Sequence, residues 1–179
     1  NQAPRLLAFG SAGAPTLEWT LAGMQRPDMV NDWLHLPDGS HVFCGWTQNA
    51  TQDILLAKIG PGNRLLWRRT IHLEGDDLGM RVLKTPGGGF LLIATTGYSY
   101  DYKTQRYSYK TTLVKCDESG NRLWAESFSI GTGDHIDDAL IMPDGRCAML
   151  ITCIRNAKQE ALLLVTEPGG KMGKIREDR

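Results

Sequence analysis

The feature that most constrains the fold of this chain is a phrase that occurs three times along it. "HLPDGSHVFCGWT" (35–47), "KTPGGGFLLIATT" (84–96) and "IMPDGRCAMLITC" (141–153) each carry a Pro-Asp-Gly or Pro-Gly-Gly turn followed by an apolar run. Proline presets φ and glycine accepts positive φ, so each phrase predicts a tight turn. The runs are rich in Val, Phe, Leu and Ile, as buried strands are. The phrase therefore predicts three strand–turn–strand units.

A second phrase follows the first two copies of the turn. "DILLAKIGPGNRLLW" (53–67) and "TTLVKCDESGNRLW" (111–124) each contain an apolar strand with a lysine at its end, a Gly-Asn turn and a strand carrying tryptophan. Degenerate copies stand near both ends of the chain, at 5–19 with a tryptophan and at 161–175 without one. The two phrases together predict a unit of four short strands.

The link between each tryptophan strand and the next turn has a nearly constant length. The spacing is 18 residues for Trp19–Pro37, 19 for Trp67–Pro86 and 19 for Trp124–Pro143. Acidic residues stand at the far end of this link: Asp32, Asp76 with Asp77, and Asp137 with Asp138. The constant length indicates that the link is structurally fixed.

Four strands in about 40 to 50 residues are typical of a β-propeller blade. The turn prolines are 49 and 57 residues apart, and no helical periodicity competes with the strand pattern. The sequence therefore predicts an all-β protein with propeller-type blades of four antiparallel strands, about three and a half of them in this chain. The predicted units are a partial blade at 1–30, a blade at 31–75, a blade with an inserted hairpin at 76–132, and a blade with a degenerate last strand at 133–179.

The repeated pattern resembles the tryptophan-containing four-stranded blade repeat of bacterial PQQ-like and related β-propeller proteins, and the likeness covers nearly the whole chain. The resemblance implies that Trp19, Trp67 and Trp124 pack between neighbouring blades. It also implies that the Gly-Asn turns join the third and fourth strands and that the aspartates fix the link between blades. A periplasmic or secreted location fits such a protein, and a cytoplasmic one is left open.

The number of blades predicts association or a longer protein. Propellers typically have four to eight blades around a central channel, and an open arc would expose sheet faces and unpaired edges. Three explanations are open: a part of a longer propeller, a homodimer whose two arcs make one ring, or a small ring completed by the degenerate ends. Closed dimers are the commonest oligomers, and we favour a dimer or a longer propeller over the closed monomer.

All five tyrosines fall in one segment, "TGYSYDYKTQRYSYK" (96–110), which is the longest departure from the repeat. Their alternation predicts a hairpin that extends the second and third strands of one blade and carries the tyrosines on one face. Cross-strand tyrosine pairs would stabilise such a hairpin by roughly 0.2–1 kcal/mol each. An exposed row of tyrosines would equally suit a binding surface. The predicted partner-binding tyrosines are Tyr98, Tyr100, Tyr102, Tyr107 and Tyr109.

Basic residues around these tyrosines indicate the kind of partner. Lys103, Arg106 and Lys110 form a local positive rim that would suit an acidic or glycan-bearing partner, so a protein or a glycan is expected. Trp46 is a further candidate, because threonines align with it in the other units. It either stacks on a ligand or fills the core, and the core is favoured because tryptophan is highly buried on average.

Composition argues against two classes of partner. Twenty basic and twenty acidic residues give a formal net charge of zero, which argues against nucleic acid and anionic membranes. No apolar run approaches the length of a membrane span, so membrane insertion is not expected. The first residues show no signal-peptide pattern, although a mature secreted chain would begin in the same way.

The sequence offers no catalytic constellation. His35 and His41 bracket one turn, but a catalytic metal takes three protein ligands and no third stands nearby, so no metal or cofactor is expected. Nucleophile and phosphate-binding motifs are absent. The leading interpretation is a non-enzymatic binding module. The alternatives are a part of a larger propeller enzyme, similar to a quinoprotein dehydrogenase or a hydrolase, and a scaffold subunit completed by oligomerisation.

Overall fold

The computed structural model of the protein describes residues 4–9, 11, 13, 15–25, 27–103, 106–155 and 157–173. Within these ranges the chain forms thirteen strands in four antiparallel sheets and no helix. The all-β prediction is therefore confirmed. In every sheet the strands that follow one another in sequence are also neighbours in space, and the described sheets do not close into a ring.

The four sheets follow one another along the chain. The first sheet pairs β1 (Arg5–Phe9) with β2 (Pro15–Thr20). The second contains β3 (Met29–His35), β4 (His41–Gln48), β5 (Gln52–Gly60) and β6 (Arg64–Ile71). The third contains β7 (Asp76–Lys84), β8 (Phe90–Asp101), β9 (Arg106–Cys116) and β10 (Arg122–Phe128). The fourth contains β11 (Thr132–Ile141), β12 (Cys147–Arg155) and β13 (Lys158–Val165).

Two cores join the last three sheets face to face. The first core lies between the second and third sheets and includes Val42, Cys44, Leu56, Phe90, Leu92 and Val114. The second core lies between the third and fourth sheets and includes Ile93, Leu113, Cys147, Met149 and Ile151. Strand β8 contributes to both cores because alternate side chains point to opposite faces of a sheet. This explains its nearly continuous apolar run, which is typical of strands buried on both faces.

The tryptophans lie at the boundaries of these cores. Trp67 packs against the first core, with its ring centre 6.0 Å from that of Phe90. A Cβ atom on Gly120 would come within 2.8 Å of the Trp67 ring, so this ring lies directly against the turn of the next sheet. Trp124 packs in the same way against the second core. The side chain of Trp19 lies outside the part of the chain that the structure describes.

The asparagines of the Gly-Asn turns connect each sheet to the segment before it. Asn63, in the left-handed conformation with φ of 60°, donates a hydrogen bond from Nδ2 to the carbonyl oxygen of Thr20 at 2.7 Å. Its Oδ1 accepts one from the amide of Ala22 at 3.0 Å. In the next turn, Oδ1 of Asn121 accepts from Nε of Arg69 at 3.1 Å. Both turns therefore fix the stacking of consecutive sheets.

Three buried aspartates hold the links between sheets. Asp28, Asp77 and Asp134 each accept hydrogen bonds from backbone amides three or four residues earlier in the chain. Asp77 was expected in this role, but Asp28 and Asp134 were not. The signal that could have found them is spacing, since all three stand nine or ten residues after a repeated tryptophan.

The other aspartates predicted for the links make different contacts. Asp32 joins two sheets, because its Oδ2 accepts the amide hydrogen of Val82 on β7 at 2.9 Å. Asp76 accepts from the amide of Gln52 at 2.9 Å, and Asp137 accepts from the Thr152 hydroxyl at 2.7 Å. Asp138 is exposed and its Oδ1 accepts from the amide of Ala139.

All four cysteines are buried and free. Burial raises the pKa of the Cys116 thiol to about 11 and that of Cys147 to about 12, and it raises the pKa values of Cys44 and Cys153 as well. Cys147 and Cys153 lie on the same strand, β12, six residues apart. They therefore behave as small apolar core residues.

We expect the folded protein to resist thiol modification. The thiolate is the reactive form, and these thiols are both protonated and buried at about pH 8. Ellman's reagent should label none of the four in the folded protein within minutes and all four after unfolding in guanidinium. Rapid labelling of any thiol in the folded protein would contradict this expectation, and free cysteine in the same buffer is the control.

Candidate functional site

The tyrosine-rich segment is a β-hairpin formed by the outer halves of β8 and β9. Ser99 pairs with Ser108, and Tyr100 pairs with Tyr107, in antiparallel register. The register shifts between Thr96 and Ser99, where the hairpin leaves the main body of the sheet. This hairpin, residues 98–109, is called the tyrosine hairpin below.

The five tyrosine rings form one continuous cluster on one face of the hairpin. Tyr107 lies opposite Tyr100 with ring centres 4.7 Å apart, and 5.2 Å from Tyr98. Tyr98 also stacks on Tyr109 at 5.7 Å, and Tyr102 meets Tyr100 edge to face at 4.9 Å. These separations lie in the range preferred by interacting aromatic pairs, each worth about 0.5–1.5 kcal/mol beyond its buried area.

Exposure rises from the base of the cluster to its tip. Tyr109 is half-buried, with its hydroxyl beside Gly133, whereas Tyr102 is 85% exposed. Burial, followed by the Asp134 charge, raises the pKa of Tyr109, and burial together with Tyr107 raises that of Tyr98. The inner rings therefore anchor the cluster and stay protonated at neutral pH, while the outer rings offer contact area to a partner.

Polar contacts order the other parts of the hairpin. On the opposite face the hydroxyls of Ser99 and Ser108 are 2.8 Å apart. At the base, Nζ of Lys110 donates to the Glu74 carboxylate at 2.7 Å, and Thr96 hydrogen-bonds to Thr112 at 2.6 Å. Because Lys110 is paired with Glu74, it contributes less to a positive rim than the sequence suggested.

The other residues predicted to bind a partner either lie away from the tyrosine cluster or have side chains outside the described part of the structure. The side chain of Arg106 lies outside the described part of the chain, and Lys103 lies exposed near the tip. Trp46 is half-buried on β4, between Met29 on β3 and Ile54 on β5. No ring contact found among the described residues joins Trp46 to the tyrosines.

A group of possible metal ligands, which sequence reasoning missed, lies between the second and third sheets. Nδ1 of His72 is 2.8 Å from Oδ1 of Asp53 and 3.8 Å from Oδ2 of Asp77. These three ligand atoms lie within 4.8 Å of one another, a spacing at which a metal ion could be held. No sequence spacing signals this group, because Asp53 and Asp77 come from different sheets.

Hydrogen bonds already engage the two carboxylates of this group. Asp53 accepts from Asn49 at 2.6 Å and from Thr51 at 3.1 Å, which lowers its pKa against the opposing effect of burial. Burial raises the pKa of Asp77, although the amides of Leu73, Glu74 and Gly97 donate to its carboxylate. The group is therefore a structural hydrogen-bond network in this structure.

The histidine pair predicted from sequence does come together. His35 and His41 are directly opposite on β3 and β4, with their Nδ1 atoms 3.4 Å apart. Burial, followed by the proximity of His35, lowers the pKa of His41. The group of possible metal ligands found among the described residues includes neither histidine.

Comparison with known proteins does not identify a family for this chain. No protein-family model and no curated protein sequence matches this chain. Among the described residues, no helix has the length and apolar character that crossing a membrane would require. The resemblance to PQQ-like propellers stays a prediction.

Proposed function

We propose that this chain is a non-enzymatic binding module that recognises a protein or glycan through its tyrosine hairpin. The observation that carries the proposal is the continuous five-ring cluster, whose outermost ring, Tyr102, is 85% exposed. Tyrosine gives a large contact area at low entropic cost, and its hydroxyl adds a hydrogen bond. A partner with flat apolar or sugar-ring surfaces fits this face.

Side-chain contacts order the described part of the hairpin. Its inner tyrosines stack on one another, and the Lys110–Glu74 ion pair and the Thr96–Thr112 hydrogen bond hold its base. A projection ordered before binding loses less conformational entropy when it meets a partner. This supports recognition as the role of the insertion.

We further propose that the sheets are propeller-type blades and that the hairpin projects from one of them. Two consecutive four-stranded meanders packed face to face, followed by a third sheet of the same kind, support this architecture. A periplasmic or secreted location stays a prediction of the resemblance.

Replacing the outer tyrosines should weaken recognition strongly while leaving the fold intact. We expect Tyr100→Ser, Tyr102→Ser and Tyr107→Ser combined to weaken binding by about 100-fold or more, because three truncated hot-spot residues that each cost more than about 1 kcal/mol together cost about 3 kcal/mol or more. The probes are a glycan microarray and a phage-displayed peptide library, followed by calorimetric titration of the best binder of each.

The matched control changes the other face of the same hairpin. Ser99→Ala with Ser108→Ala removes the hydroxyl pair and leaves every tyrosine in place, so binding should stay within about twofold. Circular dichroism and hydrogen exchange establish that both variants are folded. Equal binding by the tyrosine variant and the wild type, or no binder from either library, would contradict the proposal.

A further inference from the structure

A polar cavity lies beside the base of the tyrosine hairpin, on the fourth sheet. Its volume is about 410 Å³, and the residues that line it include Gly133, His135, Asp137, Thr152, Ile154 and Gln159. Binding sites for small ligands commonly have volumes of about 300–1,000 Å³. Gly133 also borders the tyrosine cluster, because a Cβ atom on it would lie 3.5 Å from the Tyr109 hydroxyl. The cavity and the cluster are therefore neighbouring parts of one surface.

Asp137 is the main polar group of the cavity. Its Oδ2 accepts a hydrogen bond from the Thr152 hydroxyl at 2.7 Å, and its Oδ1 is 3.2 Å from Nδ1 of His135. The Thr152 hydrogen bond, and after it the contact with His135, lower the pKa of Asp137 against the opposing effect of burial, so the carboxylate is ionised at neutral pH. A carboxylate has about four acceptor positions, and these two contacts leave about two of them for a ligand.

The cavity offers more hydrogen-bond acceptors than donors. Because an ionised carboxylate cannot donate, Nδ1 of His135 carries the hydrogen, and Nε2 of the neutral ring is left as an acceptor. The Thr152 hydroxyl donates to Asp137, so its oxygen keeps only acceptor capacity, whereas the Gln159 amide supplies both kinds of group. No lysine or arginine is found among the described residues that line the cavity. A ligand with several donors and no negative charge therefore fits it.

We propose that the partner of the tyrosine hairpin is a neutral oligosaccharide, with one sugar ring in this cavity and the adjoining rings on the tyrosine cluster. The hydroxyl groups of a sugar are the donors that the cavity lacks. Its C–H groups carry a small positive charge and match the electron-rich faces of the tyrosine rings. They also pack against Ile154, which stands opposite Gln159 and is 49% exposed. The inference rests on the proposed function, since it names the class of partner for the same surface.

A glycan array tests the class of ligand, with every neutral oligosaccharide printed beside its sialylated or sulfated derivative. We expect the strongest binder to be neutral, and no acidic derivative to bind more tightly than its neutral parent, because an added anion meets the Asp137 carboxylate. An acidic strongest binder would overturn the inference. So would an array without any binder while the peptide library yields one.

Substitutions in the cavity test where the sugar binds, by calorimetric titration with the strongest neutral oligosaccharide from the array. Asp137→Asn should weaken binding about tenfold or more, because hydrogen bonds to charged groups are the stronger ones. The Asp137 side chain is 37% exposed, so the variant is expected to fold, and circular dichroism checks this. The control is Asp138→Asn, at the neighbouring exposed aspartate that does not line the cavity, and its affinity should stay within about twofold.

The same titration with the triple tyrosine variant separates the inference from the proposed function. Loss of binding in both the tyrosine variant and Asp137→Asn supports both. Loss in the tyrosine variant with unchanged affinity in Asp137→Asn would overturn the inference and leave the proposed function standing. Loss in Asp137→Asn alone would mean that the cavity binds sugar without the tyrosine hairpin, and that result would overturn both.

Discussion

Replacing Phe90 with alanine is expected to lower the free energy of unfolding by about 3–5 kcal/mol, the usual cost of truncating a buried phenylalanine. Phe90 begins β8 and is fully buried in the first core. Its ring lies 6.0 Å from that of Trp67 and 4.9 Å from Nζ of Lys84. The cavity would therefore open between two sheets and weaken their stacking. Equilibrium unfolding in urea, followed by tryptophan fluorescence and circular dichroism, measures the loss.

A surface leucine provides the control for this substitution. Leu123→Ala removes a side chain of similar chemistry from the exposed strand β10, and its effect should lie within about 0.5 kcal/mol. The two spectroscopic transitions of the wild type should coincide, because the sheets share the first core. A loss below about 1 kcal/mol for Phe90→Ala would mean that the second and third sheets do not pack as described.

The turns and strands could be predicted from sequence because their chemistry is local. The first Pro-Asp-Gly phrase predicted strands on both sides of its turn, and β3 ends at His35 while β4 begins at His41. The alternating tyrosines predicted a hairpin, and Tyr100 stands opposite Tyr107. In both cases proline, glycine or a period of two determines the conformation within a few residues.

Contacts between sheets could not be predicted, because they join residues far apart in sequence. Leu150 and Cys44 hold the same position in their units, yet only Cys44 is buried, since burial depends on the next sheet. The Lys110–Glu74 pair, which reduces the positive rim of the hairpin, links residues 36 positions apart. The approach of His72 to Asp53 and Asp77 likewise arises only from packing.

Asp77 contacts both the link between the second and third sheets and the base of the tyrosine hairpin. Its buried carboxylate accepts hydrogen bonds from the amides of Leu73 at 2.6 Å and Glu74 at 3.1 Å, which hold the link between the second and third sheets. It also accepts from the amide of Gly97 at 3.3 Å, at the base of the tyrosine hairpin. Removing this carboxylate leaves three backbone amides without their acceptor.

We expect Asp77→Ala to lower the free energy of unfolding by about 2–4 kcal/mol. Each unsatisfied buried donor costs roughly 1–3 kcal/mol, and the variant regains part of this loss because it no longer buries a carboxylate. Asp77→Asn should lose less, since the amide keeps one acceptor oxygen in the same place. The exposed Asp138→Ala, whose carboxylate accepts from the neighbouring amide of Ala139, is the control and should change stability by less than about 0.5 kcal/mol.

Hydrogen exchange separates a local effect of Asp77→Ala from a global one. If the carboxylate fixes the hairpin base, the amides of Gly97 and Tyr98 should exchange faster in this variant by more than the loss of global stability explains. The amides of Leu91 and Leu113, deep in the third sheet, should accelerate only by the global amount. Equal acceleration at all four positions would show that Asp77 holds the sheets together but does not position the tyrosine hairpin.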